Sequence, residues 1–192
     1  MTTFVLATHN AHKVVELRAV LGERLGPHEI VGYDGPEPIE DGDSFAANAL
    51  IKARAAAAHS GLPAIADDSG IAVRALGGEP GIHSARYAGT RSDRDNLELL
   101  LSNFDGVADR AASFWCAAAL VDGEREIVEV GEWPGQVLTQ AAGEGGFGYD
   151  PIFRPEGLEV SSAELTADEK NAISHRARAF GALVVRMREL YG

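Results

Sequence analysis

Two long apolar runs meeting at a turn constrain this fold more than any other feature of the chain. Ala112 to Val121 and Glu126 to Val130 flank Asp122-Gly123, a hairpin signal between strand-like segments. Strands joined so tightly lie antiparallel, whereas parallel neighbours need a long crossover. Gln136 to Thr139 reads as a continuation of the sheet. Before this meander the chain alternates strand and helix. Phe4 to Ala7 is a first strand, and Val14, Leu17, Val20 and Leu21 share one face of a helix. Gly32 to Gly42, rich in Gly, Pro and acid, is a loop. Ser44 caps a helix running to Ser60, stopped by Gly61 and Pro63, with Asn48 and Lys52 on one face. Leu62 to Ala66 is the next strand, and Pro80 to Gly89 is irregular. Ser92 opens a helix with Leu97, Leu100 and Leu101 inward. Thr166 to Glu169 is a capping box. The last helix carries a core stripe of Phe180, Leu183, Val184, Met187 and Leu190. The order predicts a mixed α/β fold rather than a doubly wound parallel sheet.

The 192 residues suit one domain, 1–192, able to bury a real core. A formal net charge of -12 argues against nucleic acid, which needs a basic footprint. It leaves room for a small polyanion met by local Lys and Arg and by a cation on carboxylates. No apolar run reaches the length of a membrane span, and the N-terminus has no secretory pattern. Cys116, the only cysteine, lies in an apolar run and reads as a core thiol. These features predict a cytoplasmic location.

Four polar motifs carry the chemistry. Ala66-Asp67-Asp68-Ser69-Gly70 delivers two carboxylates from a strand end into a Gly turn, to hold a metal or activate water, or simply forms an acidic surface turn. Thr8-His9-Asn10-Ala11-His12-Lys13 runs from a strand into a helix, where N–H groups, Thr, Asn and Lys can cradle phosphate; it is not a Walker A sequence. Gly143 to Gly148 fits G-x-G-x-x-G formally, but Tyr149-Asp150-Pro151 follows instead of a helix, so the dinucleotide reading is rejected. It reads instead as a flexible loop with Phe147 offered as a stacking surface or packed as a core aromatic. Lys170, His175 and Arg176 place three donors near one loop, for an oxygen-rich ligand or as a solvated face. Glu40, Asp41 and Asp43 are a solvated acidic loop, or one of them shares a metal with the Asp pair. His9, His12, His28, His59 and His83 lack metal-ligand spacing and read as surface or loop residues.

Taken together, these motifs resemble the inosine triphosphate pyrophosphatase family, the dITP/XTP pyrophosphatases. The resemblance spans nearly the whole chain and is carried by Ala7 to Asn10 with Lys13, Ala66 to Gly70, Pro80 to Tyr87, Trp133-Pro134-Gly135, Gly145 to Pro151, Ala163-Glu164-Leu165 and Ser174-His175-Arg176. It implies a long mixed central sheet flanked by helices, in two lobes with a nucleotide cleft between them, and a homodimer. It implies Mg2+-dependent hydrolysis of non-standard purine triphosphates to monophosphate and pyrophosphate. Carried over by motif, Thr8, His9, Asn10, Ala11, His12 and Lys13 contact phosphate. Asp68 accepts the proton of the attacking water, Ser69 touches substrate, and Asp68 with Glu40 binds Mg2+. Phe147, Gly148, Tyr149, Asp150, Lys170, His175 and Arg176 hold the nucleoside. Lys13, Lys52 and Lys170 can stabilise the departing pyrophosphate, and His175 and Arg176 can meet O6 of the base. The sequence departs from the family at Ala47, where a Glu often precedes the Asn-Ala of the second helix. The competing readings are a Maf-like pyrophosphatase for other modified nucleotides and a non-catalytic nucleotide-binding module.

Overall fold

The computed structural model describes residues 1–9 and 11–192; the side chains of residues 11–13, 16 and 23 lie outside the description. The strands are β1 (Thr3–Leu6), β2 (Glu29–Gly32), β3 (Ala64–Val73), β4 (Ala111–Asp122), β5 (Arg125–Val137) and β6 (Phe153–Pro155). The helices are α1 (Ala11–Leu21), α2 (Phe45–Ser60), α3 (Asp93–Ser102), α4 (Ala167–Ile173) and α5 (His175–Tyr191). The strands form one mixed sheet in the order β2-β1-β3-β4-β5-β6. β1 runs parallel to β2 and β3, and β6 antiparallel to β5. The expected long mixed sheet with flanking helices is present. By its contacts the chain forms two compact units, Met1–Asp68 with Cys116–Gly131 and Arg176–Gly192, and Ser69–Trp115 with Glu132–His175.

In the first unit the sheet is covered on both faces. Leu17, Val20 and Leu21 of α1 and Phe180, Leu183, Val184 and Met187 of α5 pack on Phe4, Leu6, Ile65, Cys116, Ala118 and Leu120. On the other face Ala49, Ala53 and Ala56 of α2 meet Val5, Ala64, Ala66, Ala117, Ala119 and Val121. Alternate residues of β4 thus enter opposite cores, which explains the unbroken apolar run. Fully buried side chains such as Phe180 and Leu183 each contribute about 1.5–3 kcal/mol. Cys116 is buried and reduced, as its sequence context predicts. Leu190 departs from the predicted stripe and is partly exposed at the end of α5. The second unit has its own core, built on Ile71, Val73, Leu100, Phe104, Phe114, Trp133, Tyr149, Ile152 and Phe153. There β4 alternates, with Ala112 and Phe114 buried and Ser113 and Trp115 only partly so.

Several boundaries differ from expectation. β3 does not stop at Ala66 but runs ten residues through both aspartates to Val73. Gly70 is therefore strand, not turn. It carries no Cβ because Ser84 Oγ and the Gly81 carbonyl fill that space, and Ser84 Oγ accepts from Ile71 N at 3.0 Å. The hairpin turn is Gly123-Glu124, one residue later than read, with Gly123 at φ +59°. β5 extends past Val130 to Val137, and β2 and β6 have no counterpart in the sequence reading. His28 is buried rather than a surface residue: its Nδ1 accepts from Thr2 N at 3.2 Å, and its ring sits edge-on to Phe4.

Candidate active site

Successive residues of a strand face opposite ways, and on β3 this separates the two aspartates completely. Asp68 faces α2. Its Oδ2 accepts from Asn48 Nδ2 at 3.2 Å, and its Oδ1 lies 3.2 Å from Lys52 Nζ. Lys52 Nζ is also 3.2 Å from Glu40 Oε2, in the acidic loop before α2. The loop and helix are brought together by Ser44, whose Oγ accepts from Ala47 N to cap α2. Asn48 and Lys52 are one turn apart, so both reach Asp68 from the same helix face.

The electrostatics follow from this arrangement. Burial raises the Asp68 carboxyl above the ordinary aspartate range; Glu40 pushes the same way, while Lys52 and Asn48 pull it down. For Lys52, burial lowers the ammonium but is outweighed by Asp68, Asp67 and Glu40, so it stays protonated. Both directions hold at once because the one ammonium faces several carboxylates while each carboxylate shares that single ammonium. Glu40 and Asp68 against Lys52 leave one excess negative charge. Two hard oxygen donors converging with surplus charge fit Mg2+, which takes one or two carboxylates and completes its shell with water and substrate phosphate. Among the described residues no larger cluster of His, Cys, Asp or Glu has metal-binding form. Asp41 and Asp43 are exposed.

Asp67 faces the other way, into a buried ion pair. Its Oδ2 is 3.3 Å from both Nε and Nη2 of Arg176, whose side chain is 2% exposed. Arg176 was expected beside the base oxygen; the structure sets it on Asp67, within the first unit. The first phosphate motif is described only in part. Thr8 N donates to Leu6 O, and exposed His9 lies 3.4 Å from Glu37, a pair that forms when the imidazole is protonated. The side-chain roles given to Asn10, Ala11, His12 and Lys13 lie outside the described residues.

In the second unit the glycine-rich loop is pinned from several sides. Asp150, buried, accepts from Lys170 Nζ at 2.6 Å and Phe147 N at 2.8 Å through Oδ2, and from Ser162 Oγ at 2.8 Å through Oδ1. Gly148 N donates to Asp93 Oδ2 at 2.8 Å, from the first turn of α3. The pinned loop holds out Phe147, 45% exposed, with Lys170 Nζ 4.7 Å from its ring centroid. This settles Phe147 as a displayed ring rather than a core aromatic. Tyr149 is the opposite case, a side chain turned into the core. Its side chain is 4% exposed, its hydroxyl donates to Ser84 O at 2.8 Å, and burial pushes its pKa far above the ordinary tyrosine value. His175 stacks on Phe114, centroids 4.8 Å apart and planes 11° from parallel, with Trp133 at 6.2 Å. Ser69 is half-buried on β3.

The structure thus joins Glu40, Lys52 and Asp68 in one cluster, and Phe147, Gly148, Asp150 and Lys170 in another. Sequence reading put Asn48 on the Lys52 face without giving it a task, named Trp133 only within a motif, and passed over Asp93, Ser162 and Phe114. Of these only Asn48 carried a sequence signal, the i, i+4 spacing to Lys52.

The fold is α/β, with an acid–lysine cluster in the first unit and a pinned glycine-rich loop displaying Phe147 in the second. The chain belongs to the Ham1 family, whose model matches residues 4–186. It is 54% identical, over 99% of its length and 98% of the relative's, to a dITP/XTP pyrophosphatase of Leifsonia xyli subsp. xyli. It is 53% identical over the full length of both chains to the dITP/XTP pyrophosphatase of Streptomyces coelicolor. Among solved structures, a HAM1 protein from Coxiella burnetii superposes with a TM-score of 0.91 at 38% identity, covering 98% of this chain and all of the other. A nucleoside-triphosphatase, or dITP/XTP pyrophosphatase, of Mycobacterium abscessus gives 0.78 at 44% identity, covering 94% and 98%. No described helix is long and apolar enough to cross a membrane.

Proposed function

We propose that this protein hydrolyses dITP, ITP and XTP to the monophosphate and pyrophosphate, clearing non-standard purines from the cytoplasmic nucleotide pool. The observation that carries the reading is the Asp68 carboxylate, held by Asn48 and Lys52 and set against Glu40. Full-length likeness to dITP/XTP pyrophosphatases supports the substrate class.

Asp68 takes the proton of the water that attacks the α-phosphorus. Burial raises its pKa above the ordinary aspartate value, Lys52 opposing and Glu40 adding to it, and Asn48 and Lys52 hold its oxygens in place for the transfer. Glu40 and Asp68 hold Mg2+. When bound, the ion supplies charge neutralisation on phosphate oxygens. Lys52, kept protonated, turns from the carboxylates toward the charge that grows on the leaving pyrophosphate. Thr8 to Lys13 contact phosphate, and Ser69 touches substrate. Phe147 stacks on the base, with Lys170, Asp150 and His175 holding the nucleoside, and the side chain of Tyr149 serves the core. Arg176 acts through its pair with Asp67. The working unit is a homodimer, which light scattering on the purified protein tests.

The deciding assay offers a panel of nucleoside triphosphates with Mg2+ and separates pyrophosphate from phosphate. ITP, dITP and XTP should release pyrophosphate, with ATP and GTP much poorer and EDTA abolishing turnover. Single phosphate release, or equal rates on ATP, sinks the proposal.

A further inference from the structure

Asn48 is one of the few polar side chains in the first unit that is almost wholly buried, at 1% exposure, and it does no bond-making itself in the proposed reaction. Its amide is used at both ends. Oδ1 accepts from the backbone N–H of Gly42 at 2.9 Å, and Nδ2 donates to Asp68 Oδ2 at 3.2 Å. The first bond dictates the second. A flipped amide would set its NH2 against the Gly42 N–H and its oxygen against a carboxylate, two clashes of like polarity. With the amide so directed, Asp68 meets a fixed donor on Oδ2 and Lys52 on Oδ1.

The loop side is equally constrained. A Cβ on Gly42 would come within 2.6 Å of Asn48 Oδ1 and 2.8 Å of Ala47 Cβ. The segment carrying Glu40, Asp41 and Asp43 therefore lies directly on the start of α2, at a distance only glycine permits. Asn48 joins this loop to Asp68 through one side chain.

We propose that Asn48 is a positioning residue. It fixes the rotation of the Asp68 carboxylate and its distance from the loop that bears Glu40, and acts on the reaction only through Asp68. The inference rests on Asp68 as the proton acceptor. A buried donor is suited to the task because it holds one carboxylate rotamer without adding charge. Hydrogen-bond partners of this kind around catalytic groups are worth roughly 10- to 100-fold in activity.

The test uses Asn48→Leu, which removes both bonds at similar size, and Asn48→Asp, which keeps the acceptor for Gly42 N but sets a second carboxylate against Asp68 in place of the donor. Each is placed also on the Asp68→Asn background. Both single variants should lose roughly 10- to 100-fold in kcat on ITP. At saturating Mg2+, KM and the Kd of a non-hydrolysable ITP analogue should stay near wild type, while the melting temperature falls in both variants because buried partners of Asn48 are left unpaired. On the Asp68→Asn background Asn48→Leu should cost nothing further. A wild-type kcat in both folded variants overturns the proposal. So does an equal loss on both backgrounds, or a loss confined to Asn48→Leu, which would assign the effect to the Gly42 bond alone. If Asn48→Leu does not fold, Asn48→Asp decides. Near-normal kcat in Asp68→Asn itself would overturn the reading of the site, an outcome separate from any result at position 48.

Discussion

The Glu40–Lys52–Asp68 cluster of the first unit and the Asp150–Lys170–Phe147 cluster of the second each centre on a lysine, yet they are built to opposite rules. Lys52 is shared between two carboxylates at 3.2 Å each, so charge is left over. Lys170 meets one carboxylate at 2.6 Å, and Asp150's other oxygen is taken by Ser162. The first arrangement keeps its acids under-neutralised and raises the pKa of Asp68 by burial. The second balances charge one to one and spends its polar groups on holding a loop, so that the ring of Phe147 stays exposed. In the proposed reaction the first would serve chemistry on phosphate, and the second stacking on a base.

The sharpest contrast lies in stability. Replacing Asp150 by Ala strands the buried Lys170 ammonium, removes the acceptor of Phe147 N and leaves Ser162 Oγ only the backbone carbonyl at position 150. Breaking one partner of a buried pair costs about 3–5 kcal/mol, so Asp150→Ala should lower the midpoint of urea unfolding by an equivalent amount. A loss below about 1 kcal/mol would mean that water reaches Lys170 and that the cluster is not the closed device described.

Asp68→Asn should act in the opposite direction. It keeps the shape and removes the charge, so kcat should fall roughly 100-fold or more, as for loss of a general base. Because folding raises the Asp68 pKa, its protonated form is the one the fold favours. That stability is present below the unfolded value, about 3.9, and is lost as pH rises through the higher folded value. At neutral pH the ionised carboxylate is therefore a burden, and Asp68→Asn should melt higher than wild type at pH 7, with the gap closing below pH ~4. A lower melting point at pH 7 would show that Lys52 and Asn48 outweigh the burial.

Phe147→Ala tests the recognition surface. Base–aromatic stacking is worth roughly 1–3 kcal/mol, read as a rise in KM for ITP of about 5- to 150-fold with little change in kcat. The ring is 45% exposed, so thermal stability should hold. Unchanged KM would remove Phe147 from the nucleoside.

Much of this was legible in the chain. The hairpin, the Ser44 cap of α2 with Asn48 and Lys52 on one face, the capping box at Thr166 and the stripe on α5 are local patterns, and local patterns survive folding. The acidic run was recognisable as a site, but its geometry was not. Asp-Asp-Ser-Gly reads as a turn because nothing local satisfies two carboxylates in a strand. Their partners are Lys52 and Asn48 on another element and Arg176, distant in sequence. Likewise Gly70 looks like a turn residue until Ser84 is seen occupying its missing side chain. Phe147 and Tyr149, two residues apart, could not be told apart as displayed and buried. That difference depends on the Asp150 and Asp93 bonds that turn the loop.

The smallest effect concerns Ala47, the position where the family resemblance leads one to expect Glu. Position 47 is the third residue of α2, and its N–H already donates to the capping Ser44 Oγ at 3.2 Å. That is half of a capping box. The other half, a carboxylate reaching back to the cap N–H, is complete at Thr166–Glu169, where Glu169 Oε2 accepts from Thr166 N at 2.8 Å. Ala47→Glu should complete the box on α2 and stabilise by about 0.3–1 kcal/mol, a rise of about 1–3 °C in Tm for a chain of this size. The same carboxylate would stand beside the loop that bears Glu40, so a second measurement separates the alternatives. If capping is the whole effect, the Mg2+ concentration for half-maximal rate stays fixed while Tm rises. If that concentration falls and Tm does not move, position 47 belongs to the under-neutralised cluster, and this chain runs its phosphate chemistry with one carboxylate fewer than the family resemblance implies.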